Sequence, residues 1–250
     1  MYAIEAPDIA EARGGLMQVA NVIDNAPAQI FHQGVVYQTA IIDGHTRFVP
    51  TDGSNKVFDQ TVLVEGAPFS LYRGVDYSMF QRGLATPGAK EIFKGGETYG
   101  VEQALQTLVL NERAVDISPT AGTAVTKLEA LGLLEQYAAD HYAGLPVIHG
   151  NRYAVSLFPL LNVDTSNWTL HTSQGTPVAN GGGYGSTGPG GVIAAPGTAW
   201  MYVTGQVNIW RSDVAIAEGF DLAANRTETL AEAQYVPTVD GIVAAVLVGI

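Results

Sequence analysis

The spacing of apolar residues changes several times along the chain, and each change marks an element. Val101, Ala104, Leu105, Leu108 and Val109 recur at i, i+3, i+4, i+7 and i+8, which is the spacing of one buried face of an α-helix. A helix is therefore predicted over about 97–112, lying across a sheet or another helix. Thr126, Lys127, Leu128 and Glu129 match a capping box, in which hydroxyl and carboxylate satisfy free backbone amides at a helix start. This second helix should run to Tyr142 and stop at Gly144 and Pro146. A short strand from Leu145 to His149 should follow, and Asn151 should cap a third short helix ending before Pro159.

Elsewhere the period shortens to two, or the pattern breaks up. Between Val35 and Val64, β-branched and aromatic runs are interrupted by Asp43-Gly44 and Asp52-Gly53, predicting a long, partly exposed antiparallel hairpin. Val203, Gly205, Val207 and Ile209 alternate with Tyr202, Thr204, Gln206 and Asn208, as in one two-faced strand. Further strands are expected around 229–236 and 242–250, between turn signals at Asn225 and Asp240-Gly241. The last of these is apolar throughout, so it must be an interior strand or pack against neighbours. Residues 1–30 read as an extended arm with a weak helical stripe at Leu16, Val19, Ala20 and Ile23. The stretch 65–96 reads as turn-rich, with Gly66, Pro68, Gly74, Gly83, Pro87, Gly88, Gly95 and Gly96, and 117–125 as a loop.

Composition narrows the class of function. The 250 residues are 47% hydrophobic and only 14% charged, against roughly a quarter charged in an average globular protein. Much of the surface is therefore uncharged and suited to meeting other protein. Twelve basic residues against 24 acidic ones give a net charge of -12, which repels phosphate backbones and anionic lipid and argues against sequence-reading nucleic-acid binding. The absence of cysteine excludes disulfides, thiolate nucleophiles and cysteine-held metals, and fits assembly in a cytoplasm. The N-terminus lacks the basic and apolar regions of a signal peptide, and the apolar run from Ile242 to Ile250 is far short of the ~20 residues that span a bilayer. The expectation is a chain neither exported nor membrane-spanning.

Candidate chemistry is sparse. Gly183, Gly185 and Gly188 match a dinucleotide-loop pattern, but no strand runs into them and Pro189 blocks a following helix, so a flexible loop is expected. His32, His45, His141, His149 and His171 lack metal-ligand spacing and read as structural. His149 ends an apolar strand, where α/β enzymes often place functional groups, yet no nucleophile elbow or cysteine is present for it to activate. Glu129, Glu135 and Asp140 do not converge as a glycosidase pair must and read as helix surface. The sequons at Asn167 and Asn225 matter only in a secreted eukaryotic protein. No catalytic, cofactor or metal residue is assigned.

The order of arm, long hairpin, helix, helix-rich layer and returning strands resembles the tailed-bacteriophage major capsid family, whose Hong Kong-type fold is shared with encapsulins. Glu97 to Leu108 (ETYGVEQALQTL) is similar to its spine helix, and 33–66 to its extended loop over a neighbouring subunit. Leu128 to Tyr137 followed by Pro146 to Ala154 resembles the axial-domain segment, and Leu170 to Val178 its strand and Gly-Thr-Pro-Val turn. The resemblance implies an α+β chain with an N-terminal arm at 1–30, an extended β-hairpin loop at 31–66, a peripheral domain at 67–123 and 200–250, and an axial domain at 124–199. It further implies a structural, non-enzymatic major capsid subunit without cofactor. Such a subunit assembles with itself into hexamers and pentamers of an icosahedral phage head in the host bacterial cytoplasm, alongside portal, scaffolding or decoration proteins. Two other readings remain: another virion component such as a minor capsid, decoration or tail protein, and a small α/β hydrolase or binding protein with His149 and the 181–191 loop lining a pocket.

Overall fold

The computed structural model describes residues 13–39, 62–78 and 81–250. In chain order the elements are α1 (Leu16–Val19), β1 (Asn21–Asp24), α2 (Ile30–Gln33), β2 (Val35–Thr39), β3 (Val62–Gly66) and β4 (Phe69–Ser78). The long helix α3 (Arg82–Leu105) follows, continuing through a π-helical turn, Gln106–Leu110, into α4 (Asn111–Arg113). Then come β5 (Val115–Asp116), α5 (Lys127–His141), β6 (Val147–His149), α6 (Arg152–Ser156), β7 (Leu161–Asp164), β8 (Thr169–Thr172) and β9 (Pro177–Ala179). The chain returns through β10 (Thr198–Thr204), β11 (Val207–Arg211), β12 (Ala215–Asp221), β13 (Arg226–Val239) and β14 (Val243–Gly249).

Two sheets carry the fold. A seven-stranded mixed sheet has the order β5-β14-β10-β6-β9-β8-β7. One of its faces packs on α5 and α6 through Leu131, Leu134, Val155, Met201, Val203 and Val246. Its other face turns Trp200, Tyr202, Ala245 and Leu247 toward α3. A five-stranded sheet joins β1, β11, β13 and β12, with β4 on the far side of β13. Its inner face, including Ile209, Ala231, Ala233 and Tyr235, packs on α3 as well. Helix α3 thus lies between the sheets, and among the described residues no helix is long and apolar enough to cross a membrane.

Both caps form at the expected residues, the capping box through its hydroxyl half. Thr126 Oγ1 accepts the Glu129 N–H, and Asn151 Oδ1 accepts the Ala154 N–H at 2.7 Å. The C-terminal apolar segment is β14, an interior strand between β5 and β10.

Three expectations are corrected. The stretch 65–96 is not mainly turns: it holds β4, and the long helix begins at Arg82 rather than near 97. Gly88 serves packing, since a Cβ there would lie 2.0 Å from the Tyr77 hydroxyl, and so does Gly100 farther along the helix, where one would lie 2.8 Å from Leu71, whereas Gly74, Gly83 and Gly96 face open space. Contacts with the sheet override weak helix propensity. Leu108 faces outward, because the π turn at Gln106–Leu110 shifts the buried face there onto Val109 and Leu110. Residues 202–209 are not one strand: β10 ends at Thr204 in the seven-stranded sheet and β11 begins at Val207 in the other. The switch occurs at Gly205, where a Cβ would sit 1.9 Å from the Asp240 carbonyl. Within 200–250, β10 and β14 belong to the seven-stranded sheet and β11, β12 and β13 to the five-stranded one.

Of the long hairpin, the base is described: Val35–Thr39 pairs antiparallel with Val62–Gly66. Its Asp-Gly turns lie outside the described residues, as do residues 1–12 of the arm. From Arg13 onward that arm packs against the body, with Leu16 fully buried and β1 parallel to β11.

Candidate functional site

The polar residues buried nearest the centre hold segments together. Glu102, in the middle of α3, is fully buried, and its carboxylate accepts the Leu16 N–H and the Gly183 N–H, each at 2.9 Å. Burial pushes its pKa up, and the two backbone donors and the charge of Arg152 oppose that rise. Glycine at 181 is required, since a Cβ there would fall 1.7 Å from the carboxylate oxygens. One turn on, Gln106 accepts the Gly185 N–H and donates to the Thr187 carbonyl. After the π turn, Asn111 bonds Thr187 Oγ1 and the Tyr202 hydroxyl, each at 3.0 Å. The 183–188 loop is therefore anchored along the helix rather than flexible, and its glycines give clearance to side chains. Glu102 and Gln106 were not singled out from sequence; the signal was a polar pair four residues apart on an otherwise apolar helix face.

His149 is fully buried between the Tyr184 hydroxyl on Nδ1 (2.8 Å) and Thr204 Oγ1 on Nε2 (2.9 Å). Burial drives its pKa down to about 3, so it is neutral and bridges two hydroxyls. His32 lies in α2, His141 stacks on Tyr137 at the end of α5, and His171 sits on β8 between Thr169 and the Gly175 carbonyl. His45 lies outside the described residues, among which no group of three His, Cys, Asp or Glu could hold a metal. Glu135 accepts the hydroxyls of Thr172 and Thr176, Glu129 takes part in the α5 cap through its N–H, and Asp140 accepts the Gln136 amide. Asn167 closes a turn by accepting from Thr169, and Asn225 sits at positive φ in the β12–β13 turn. The side chains of His141, His149, His171, Glu135, Asp140 and Asn167 are thus engaged in hydrogen bonds within the fold.

What is left open is surface. The face of the five-stranded sheet away from α3 shows a shallow trough of about 460 Å³ over β4, β13 and β12, floored by Gly74, Ala217, Gly219 and Leu230. Beside it, Leu71, Tyr72, Ile92, Gly96, Tyr99 and Gly100 line a groove of about 490 Å³ between β4 and α3. Tyr72 is 73% exposed, and Leu222, in the turn beyond β12, is 83% exposed. At the hairpin base, Val36 and Leu63 point outward while Tyr37 turns in, bonding Asp240, Thr238 and Asn208. Burial and the Asp240 carboxylate push the Tyr37 pKa up to about 12, so the phenol stays a donor and fixes the hairpin's direction of exit. At the outer end of the seven-stranded sheet, Tyr153, Leu157, Leu160, Val163 and Trp168 are exposed around edge strand β7. Leu160 and Trp168 hold positive φ there, an uncommon state for large side chains.

No family model and no curated protein matches the chain. Solved structures do. The capsid of a native GTA particle is similar over 100% of this chain and 94% of its own, at 13% identity and a TM-score of 0.62. The capsid of Ralstonia phage GP4 matches over the same shares at 9% identity and a TM-score of 0.58. The encapsulin SrpI of Synechococcus elongatus PCC 7942 matches over 92% of this chain and 85% of its own, at 11% identity and a TM-score of 0.52. At such identities the likeness is one of fold: this chain adopts the α+β fold that phage capsid chains and encapsulins share.

Proposed function

We propose that this chain is a structural virion protein, the major capsid subunit that self-assembles into an icosahedral head around a phage genome. The observation that carries it is the likeness to capsid chains along the whole chain. Agreeing with it are the apolar residues left bare at the sheet trough, the hairpin base and the β7 rim. Many modest contacts repeated by symmetry can close a shell without one dominant site. In this reading the five-stranded sheet with α3 is the peripheral domain and the seven-stranded sheet with α5 and α6 the axial one. The 31–66 hairpin reaches over a neighbour, and residues 1–30 supply the arm. The role is structural rather than catalytic, with hexamers and pentamers as the building units and portal, scaffolding or decoration proteins as further partners. Assembly takes place in the host bacterial cytoplasm, consistent with the absence of cysteine.

Negative-stain microscopy with light scattering on the purified chain tests this: closed shells or capsomer rings are expected. A persistent monomer whose melting point rises with a small ligand would overturn it. The encapsulin likeness favours a second reading, a protein-filled compartment, which nuclease treatment and analysis of the particle contents separate from a genome-filled head. Deleting residues 36–62 should abolish assembly while circular dichroism still reports a folded chain. Normal particles from that deletion would remove the hairpin from the proposed contacts.

A further inference from the structure

The ribbon β4–β13–β12 ends in two open edges. β13 pairs with β4 over Arg226–Tyr235 and, on its other side, with β12 over Arg226–Glu232. Among the described residues no strand pairs with the outer side of either. Both edges run one-to-one with β13 over seven and ten residues without a bulge. Neither contains lysine or proline, the usual guards of an exposed edge. An edge of this kind is a template for another strand.

Three observations say which strand fits. First, β11 and β12 lie on the same side of β13, one after the other, and β11 already carries a strand in parallel, Asn21–Asp24 against Asn208–Arg211. This edge line therefore accepts parallel addition, and only its second half is empty. Second, β4 and β12 are both antiparallel to β13 and level with each other. Ala215 and Tyr72 both lie opposite Glu232, Ala217 and Gly74 opposite Leu230, and Asp221 and Ser78 opposite Arg226. A copy related by rotation thus presents β4 in the same direction and over the same length. Third, β12 carries Glu218 and Asp221, so pairing it with another β12 would set carboxylates against carboxylates. β4 instead brings Arg73, level with Ile216 and two residues from Glu218, while its Asp76 is already paired with Arg226.

Resting on the self-assembly proposed above, we propose that the outer edge of β12 receives the β4 edge of a second copy of this chain as a parallel strand. The ribbon then continues from subunit to subunit. The contact joins two different edges, so it propagates head to tail instead of stopping at a pair, and closes into a ring where the rotation between neighbours permits.

The lack of cysteine makes the test clean. Gly74→Cys points into open space, and Ala217→Cys is on an exposed position. Within one chain the two flank Leu230, two strand spacings apart, about 9.5 Å, beyond the ~7 Å Cα separation a disulfide can bridge. Oxidised particles of the double variant should run as a ladder of covalent multimers, and each single variant as a monomer. If particles form and the double variant stays monomeric, or the single variants link equally well, the edge contact is wrong while self-assembly stands. If the unmodified chain forms no particles, both fall. Should the double variant fail to assemble, hydrogen exchange on the unmodified chain decides. Amides of 215–221 should slow at least about tenfold on assembly, and unchanged exchange there overturns the contact.

Discussion

The two sheets differ in how many of their faces protein covers. The seven-stranded sheet is packed on both sides, by α5 and α6 on one and α3 on the other, and β10 and β14 are buried at nearly every position. The five-stranded sheet packs on α3 with one face, while its other face is covered by the hairpin base and Tyr37 only at the Tyr235–Val239 end of β13, and the first half of β13 alternates between buried and more exposed positions. A strand covered twice is written as a continuous apolar run, and one covered once as an alternation. Among the described residues, that face over the first half of β13 and the outer edges of β4 and β12 carry no cover.

Several measurements can break or sharpen this contrast. The largest effect is expected in the doubly covered sheet, at His149. Its folded pKa of about 3 lies below the ordinary 6.5, so the unfolded chain binds the proton more tightly than the folded one. The stability of the neutral buried form is intact above pH 6.5 and drains away as pH falls toward 3, on the order of 4 to 5 kcal/mol at completion. Melting curves from about pH 7 to pH 4 should show the fall, and His149→Gln, which takes up no proton, should flatten it. An equally steep fall in the variant would move the effect to other groups.

Next, Leu134→Ala, on the buried face of α5, should cost about 3 kcal/mol in urea unfolding; a cost below about 1 kcal/mol would mean this core is not close-packed. Glu102→Ala orphans the Leu16 and Gly183 amides and should cost about 2 kcal/mol, with faster proteolysis within 13–24. A stabilised variant would mean that burying the carboxylate outweighs its two hydrogen bonds. Smallest is Leu230→Ala, on the bare face, which should stay within about 0.5 kcal/mol in the lone subunit yet lower particle yield. A large loss in the lone subunit would show that this face is part of the subunit's own core.

Local chemistry is what the sequence exposed most clearly. The Thr126 and Asn151 caps can be read residue by residue, because each depends on neighbours within a few positions, and the unbroken apolar run of β14 reads as a strand covered on both faces. The start of α3 cannot: Pro87 and the glycines at 83, 88, 95 and 96 weaken helix propensity, and the reason for Gly88 is a tyrosine on β4. The break at Gly205 is hidden for the same reason, since its cause is a carbonyl at residue 240. The bare surfaces were legible only as an excess of uncharged residues. Which of those residues share a face is decided by pairings such as β13 with β4, some 150 positions apart.

The π turn at Gln106–Leu110 constrains how this chain can vary in length. Polar grips at 102, 106 and 111 are spaced by four and then five residues, and only the wider turn brings the third in line with the first two. An α-helix rotates about 100° per residue, so five residues of regular helix would swing Asn111 away from Thr187 and Tyr202, whereas deleting one residue of the turn leaves a spacing of four that a regular helix aligns. A homologue one residue shorter at this point can fasten the same loop with the same side chains from an unbroken α-helix. A gap there in an alignment would thus mark loss of the π turn, not loss of the grip.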